Sequence, residues 1–199
     1  MLDEELRRGA KPLYKPAATA LAHWGITGNA LTVASFVAGV LCLGAIAAGL
    51  NVLGLILWIL NRLLDGLDGE VARLRAETSE LGSYLDIVAD FFMYGGFLVA
   101  LAVQHPEARL ALVTLFFAYY LNGSLFLALS GILEKIKAER LTERGLHFRR
   151  SLTEGFETIV AGVLFLVFPG HVSLIAWVFA AMVFVSSAQR LQDAWRVLR

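Results

Sequence analysis

Residues 61–92 read NRLLDGLDGEVARLRAETSELGSYLDIVADFF. Two carboxylate-bearing stretches of helical character flank a short charged turn. On the first, Asp65 and Asp68 are spaced i, i+3 and face the same way. Gly69 and Ala72 fall within the same arc, since each helical residue advances by about 100°. On the second, Gly82, Asp86 and Asp90 follow one another at i, i+4 and i+8 and form one stripe. The connection is short, so the two helices run antiparallel and their aspartate faces can meet.

The sequence on either side is apolar. Of 199 residues, 58% are hydrophobic and 17% charged, with a mean hydropathy of +0.68. A soluble domain carries about 25% charged residues. This composition excludes a soluble globular enzyme, a disordered chain and a secreted disulfide scaffold. The 17 basic and 17 acidic residues balance, which gives nucleic-acid binding no support. Cys42 is the only cysteine, lies in an apolar run and reads as a small buried hydrophobe.

A membrane-spanning helix needs about 20 apolar residues. Six such stretches are expected, at 30–50, 52–75, 81–103, 109–133, 152–168 and 172–191. The fold class is therefore an all-α integral membrane protein with six transmembrane helices. The first stretch begins too late, and lacks the small-residue cleavage pattern, for a removable signal peptide. Residues 2–21 mix charges with Leu6, Leu13, Tyr14 and Leu21, which reads as an amphipathic interfacial helix broken near Pro12 and Pro16. Trp24 suits the headgroup level. The chain divides into an interfacial segment, 1–24, and a six-helix transmembrane catalytic domain, 25–199.

Lys and Arg set the orientation. Arg7, Arg8, Lys11 and Lys15 precede the first span, and Arg73 and Arg75 lie between the second and third. Lys135, Lys137, Arg140, Arg144, Arg149 and Arg150 lie between the fourth and fifth, and Arg190, Arg196 and Arg199 end the chain. All fall on one side, with Arg109 alone on the other, so both termini are expected in the cytoplasm. Lys135, Lys137, Arg140 and Arg144 also suit contact with anionic lipids.

Four facing carboxylates cannot all stay ionised without compensation. Protonation, salt bridges to Arg62 or Arg73, and bound divalent cations compete as explanations. One or two arginines cannot neutralise four aspartates. All-oxygen ligation suits Mg²⁺ or Mn²⁺, and no paired Cys or clustered His favours zinc. Gly69, Ala72 and Gly82 leave room for a bulky ligand, or for close helix packing. With Arg73 beside them, a metal pair suggests a phosphate-bearing nucleotide.

With its spacing, the run is Asp65-x2-Asp68-Gly69-x2-Ala72-Arg73-x8-Gly82-x3-Asp86-x3-Asp90. It resembles the signature of the CDP-alcohol phosphatidyltransferase family at all eight positions. The six-span plan and amphipathic N-terminus resemble that family too. The resemblance implies transfer of a phosphatidyl group from a CDP-lipid, CDP-diacylglycerol, to a small polar alcohol, with release of CMP, in phospholipid biosynthesis. It implies two divalent cations on Asp65, Asp68, Asp86 and Asp90, with Asp90 also serving as base. It implies nucleotide contacts from Gly69, Ala72, Arg73 and Gly82. It further implies a homodimer in the inner (cytoplasmic) membrane, with the active site facing the cytoplasm. Gly28-Asn29-Ala30-Leu31-Thr32 resembles the family's short motif at the start of helix one, with Gly28 where a Pro is usual. Asn29 and Thr32 are then expected on the cytidine, the competing role being a helix cap from Thr27 or Asn29.

The acceptor side is sought among Arg150, Glu154, Glu157 and Arg190, near the cytoplasmic ends of helices five and six. Acids at a helix start and Arg at a helix end are also ordinary dipole complements. Tyr119, Tyr120 and Asn122 lie deeper in helix four. Residues 151–158 resemble a segment of a poorly characterised, phosphatidylglycerophosphate-synthase-like bacterial branch of the family. Phe91 follows Asp90 where those synthases typically carry Lys, which counts against that assignment. The expected acceptor is a small polyol, phosphorylated or not. The rival function is a proton- or cation-coupled transporter. Its acids would be expected near the bilayer midplane on broken helices, whereas these cluster at one surface.

Overall fold

The computed structural model describes residues 14–139 and 155–199, and the side chains of 137–139 and 155–156 are outside the description. Among the described residues the secondary structure is entirely helical. α1 covers 14–23. It is followed by α2 (Gly28–Ala47), α3 (Asn51–Leu74), α4 (Glu80–Gln104), α5 (Arg109–Glu139), α6 (Gly155–Val167) and α7 (Val172–Val197). Residues 1–13 of the expected interfacial segment, Arg140, Arg144, Arg149, Arg150 and Glu154 lie outside the described residues. α1 runs through Pro16 without the expected break, and Thr19 Oγ1 donates to the Lys15 carbonyl at 2.8 Å within it.

Among the described residues, four helices are long and apolar enough to cross a membrane: α2, α4, α5 with the turn before it, and α7 with the turn before it. α3 has 24 residues. It would reach about 36 Å at 1.5 Å per residue, but Arg62, Asp65, Asp68 and Glu70 make its second half too polar to qualify. α6 has 13 residues, because the described part of that stretch begins at Gly155. α7 continues to Val197, six residues past the expected end at 191, so Arg190 sits inside the helix rather than at its end. The outer faces expose large apolar side chains, such as Val113, Phe117 and Val178. A water-soluble monomer rarely exposes so much apolar surface.

The helices close into a ring. α2 packs on α3 and α4, α3 on α6, α6 on α7, α7 on α5, and α5 on α4. The α2–α3 contact has a simple sequence origin. Gly28, Leu31, Ser35, Ala38, Cys42 and Ala45 are buried in α2. Steps of three and four separate them, the spacing of a continuous seam between two helices. Small residues on this seam let the backbones approach. A Cβ on Gly28 would meet the Ala72 Cβ at 2.8 Å and the Asp68 carbonyl at 3.0 Å. Further along, the Cys42 thiol donates to the Gly54 carbonyl at 3.2 Å. α1 docks on the outside of this pair through Ala18, Leu31 and Val71.

The centre of the ring is aromatic. Trp58 is buried against Phe97, with centroids 4.7 Å apart, and donates from Nε1 to the Ile159 carbonyl of α6 at 3.3 Å. Gly162 makes room for that indole, whose ring atoms lie under 3 Å from where a Cβ would sit. Tyr94 stacks on Tyr119, and Tyr119 meets Phe179 of α7 edge-on.

Gly28→Leu should push α2 off the rigid Ala72–Asp68 backbone and lower stability by roughly 1–3 kcal/mol. Gly44 has open space around its Cβ position, and Gly44→Ala should instead gain about 0.5–1 kcal/mol of helix propensity. Thermal unfolding of the two purified variants checks both signs.

Candidate active site

The site lies where the C-terminal half of α3 faces the N-terminal half of α4. The turn between them is set locally. Ala76 adopts φ +55°, and the Glu77 N–H donates to the Ala72 carbonyl at 2.9 Å, which ends α3. Ser79 Oγ accepts from the Gly82 N–H at 3.0 Å and starts α4. Arg75 holds the turn onto α1, donating to the Ala22 carbonyl at 3.2 Å and to Glu77 at 2.8 Å.

Asp68 is the most enclosed of the four aspartates, at 8% exposure. The Thr32 hydroxyl of α2 lies 2.7 Å from its Oδ2 and 3.1 Å from the Gly28 carbonyl. Thr32 has one proton, and the shorter contact is to the carboxylate. Asp90 accepts from Arg62 Nη1 at 2.9 Å, and Asp65 lies 3.8 Å from the same nitrogen. Asp86 is exposed. Asp68, Asp86 and Asp90 are all near enough to Asp65 to act on its charge. Asp65 of α3 and Asp90 of α4 thus meet at one guanidinium. Among the described residues, no group of three or more His, Cys, Asp or Glu side chains is gathered as a ready-made ion site. Thr32 and Arg62 hold separate carboxylates in separate directions.

The donor chemistry nevertheless fits a hard dication: four carboxylates, all oxygen, with no nitrogen or sulfur competitor in the set. Gly69, next to Asp68, is open. A Cβ there would meet only the Arg73 guanidinium, at 3.5 Å. Arg73 therefore lies over a glycine-sized hollow beside the carboxylates, at 62% side-chain exposure, and is paired with Glu70 at 2.6 Å.

Other expected residues have structural occupations. Ala72 abuts Gly28, and Gly82 carries the capped amide of α4. Asn29 is exposed, and the cap of α2 is Thr27, whose Oγ1 accepts from the Ala30 N–H at 3.2 Å. Of the acceptor candidates, Glu157 begins α6 half-buried, and Arg190 lies with its guanidinium 5.1 Å over the Phe126 ring of α5. Arg150 and Glu154 fall outside the described residues.

Arg62 went largely unread in the sequence, where it stood only as one of two salt-bridge options. Its local signal is a cation at the point where the apolar first half of α3 ends, one turn before Asp65. Asn61 and Ser35 gave no signal, because their pairing joins residues 26 apart.

The profile of the CDP-alcohol phosphatidyltransferase family matches residues 26–186. The inner membrane protein YnjF of Escherichia coli is 36% identical over 205 aligned residues, covering all of this chain and 98% of that protein. With the long apolar helices, that likeness makes this a multi-pass membrane protein. A bifunctional IPC transferase and DIPP synthase of Thermococcus kodakarensis is 40% identical over 77 residues, 39% of this chain and 18% of that protein. Two crystal structures of the phosphatidylinositol phosphate synthase PgsA1 of Mycobacterium tuberculosis share the fold, each with a TM-score of 0.73 and 21% identity. One holds manganese and citrate, and alignment covers 92% of this chain and 88% of that one. The other holds CDP-DAG, with 92% and 94% covered. None of this supports a transporter. By that profile match and the full-length likeness to YnjF, the chain belongs to the CDP-alcohol phosphatidyltransferase family, whose members are transferases of phospholipid synthesis.

Proposed function

We propose that the protein transfers the phosphatidyl group of CDP-diacylglycerol to a small polar alcohol and releases CMP on the cytoplasmic side of the inner membrane. One observation supports this: carboxylates of both helices, Asp65 of α3 at 3.8 Å and Asp90 of α4 at 2.9 Å, meet at the Arg62 guanidinium, with the open Gly69 one turn further along α3. The manganese and CDP-DAG bound by the mycobacterial synthase structures support the same reading. Positive residues on one side of the chain support cytoplasmic termini, with α3 and α6 completing six crossings. The family resemblance supports a homodimer.

Asp65, Asp68, Asp86 and Asp90 would hold Mg²⁺ or Mn²⁺, as two ions. Bound there, the cations neutralise diphosphate oxygens and stabilise the charge on departing CMP. The chain's own residues do the rest. Thr32 keeps Asp68 turned into the α2–α3 seam. Gly69 lets a diphosphate approach the backbone, with Gly82 opposite. Arg73 can exchange Glu70 for phosphate oxygens in a forked, charge-assisted contact. Asn29 and Thr32 lie at the α2 start, within reach of the nucleoside end. Asp90 takes the proton of the acceptor hydroxyl as its oxygen bonds to phosphorus and the phosphorus–oxygen bond to CMP breaks. An in-line approach is required for that exchange. Arg150, Glu154, Glu157 and Arg190 are the proposed acceptor contacts.

Purified protein given CDP-diacylglycerol, Mn²⁺ and a panel of alcohols should release CMP with at least one of them. Silence across serine, glycerol phosphate, inositol and inositol phosphate would sink the proposal. Asp65→Asn, Asp68→Asn and Asp86→Asn should each cut turnover by about 100-fold or more, the scale of a few kcal/mol of lost charge stabilisation, and weaken Mn²⁺ binding. Full turnover in chelator contradicts this. Asp90→Asn should lose about 10²–10⁴ in turnover while CDP-diacylglycerol still binds. If the acceptor is phosphorylated, Arg150→Ala and Arg190→Ala raise its KM and free phosphorylated polyol inhibits. If neither occurs, the acceptor is an unphosphorylated alcohol, with Glu154 and Glu157 as its contacts.

A further inference from the structure

Arg62 is a guanidinium placed in the middle of α3, with 7% of its side chain exposed. A buried charge of this kind is costly unless every donor is used. Here Nε and Nη1 are both engaged. Nε donates to Asn61 Oδ1 at 2.8 Å, and Nη1 donates to Asp90 Oδ1 at 2.9 Å and to the Tyr94 hydroxyl at 3.1 Å. Asp65 lies 3.8 Å away. The guanidinium carbon sits 5.2 Å from the Trp58 ring centre and 5.3 Å from that of Tyr94.

Asn61 cannot turn away, since it is 1% exposed and its Nδ2 donates to the Ser35 carbonyl at 2.8 Å and to Ser35 Oγ at 3.0 Å. Ser35 Oγ in turn donates to the Asn61 carbonyl at 3.0 Å. Those bonds point the Asn61 oxygen at Arg62. The result is one buried polar chain, Ser35–Asn61–Arg62–Asp90, that crosses from α2 through α3 to α4. Trp58 and Tyr94 clamp its cation from the apolar side. None of Ser35, Asn61 or Arg62 belongs to the eight-position signature.

We propose that Arg62 is the positioning residue of Asp90, fixing its carboxylate at the angle from which it takes the acceptor proton. The proposal rests on Asp90 being the base. Arg62 engages one carboxylate oxygen of Asp90 in a charge-assisted bond, and the other oxygen takes the proton. Lysine cannot replace it fully, because a point charge cannot serve Asn61, Asp90 and Tyr94 together in the fixed geometry of a fork. A tether of this kind acts on turnover more than on lipid binding, since a displacement of about 1 Å at a reacting group costs on the order of 10²-fold in rate.

The test uses full-length protein in detergent with Mn²⁺ and CDP-diacylglycerol. In Arg62→Gln, kcat should fall by about 100-fold, while the Kd for CDP-diacylglycerol stays within about threefold of wild type, the signature of an interaction made in the transition state. Arg62→Lys should recover part of kcat. A kcat unchanged in Arg62→Gln, a Kd that rises in step with the loss of kcat, or a Lys variant no better than Gln overturns the proposal. A second readout needs no turnover. Arg62→Gln and Asp90→Asn should each lower the melting temperature, and the double variant should melt no lower than the worse single one, because partners in one bond are not additive. Additive losses overturn the pairing. Failure of both Arg62 variants to fold shows a purely structural residue and also overturns it. If wild-type protein releases no CMP with any alcohol, the proposed function fails. The melting-temperature cycle still decides whether Arg62 holds Asp90.

Discussion

Close approach of α2 and α3 is the constraint on which the rest of the molecule depends. Lipid offers no hydrophobic drive between helices, so association relies on tight packing and interhelical hydrogen bonds. α2 supplies both along one seam. Gly28 admits Ala72, Thr32 reaches Asp68, Ser35 locks Asn61, and Cys42 donates to the Gly54 carbonyl. The contacts that hold the two helices together are the same contacts that orient the carboxylates. Asp68 is fixed by Thr32 directly. Asp90, on a third helix, is reached through Asn61 and Arg62. Site and fold are therefore one network, and a bulky residue on this seam threatens both.

Electrostatics then selects what that network can bind. Arg62 is held between Asp90 and Asp65, and Arg73 is turned to Glu70. One buried guanidinium does not balance four carboxylates, and the excess negative charge near a membrane surface favours a divalent cation. Under the proposed function, Asp65, Asp68, Asp86 and Asp90 would hold that cation, and the open position at Gly69 would admit a diphosphate. Substrate geometry follows the same logic. In the proposed reaction a CDP-lipid would keep its tails among the apolar helices and its diphosphate at the polar end of α3 and α4. The aromatic centre of the ring, from Trp58 and Tyr94 to Tyr119 and Phe179, braces α3 and α4 from behind.

Much of this was legible in residues 61–92. Spacings of three and four put Asp65 with Asp68 and Asp86 with Asp90, and the short turn dictated antiparallel helices. Those inferences depend only on helix periodicity, which is local. Partner choice was less legible, because it is decided across helices. Arg73 pairs with Glu70, one turn away, a partner the signature does not mark. Of the two compatible roles read for Ala72, ligand room and close helix packing, the packing against Gly28 is the one decided across helices. Six uniform spans were expected, but α3 carries the site's charges and so fails the apolarity that marks a span. The seam itself was present in α2 as small or buried residues at 28, 31, 35, 38, 42 and 45. It was masked by the uniformly apolar residues around it.

Anomalous scattering from manganese tests the central claim most directly. Crystals of the protein grown with Mn²⁺ and CDP should show one or two anomalous peaks at the manganese edge, between α3 and α4. Each should lie within ligand distance of carboxylates from both helices, drawn from Asp65, Asp68, Asp86 and Asp90. Manganese elsewhere in the molecule, or a well-ordered CDP with no peak among these four aspartates, would contradict it.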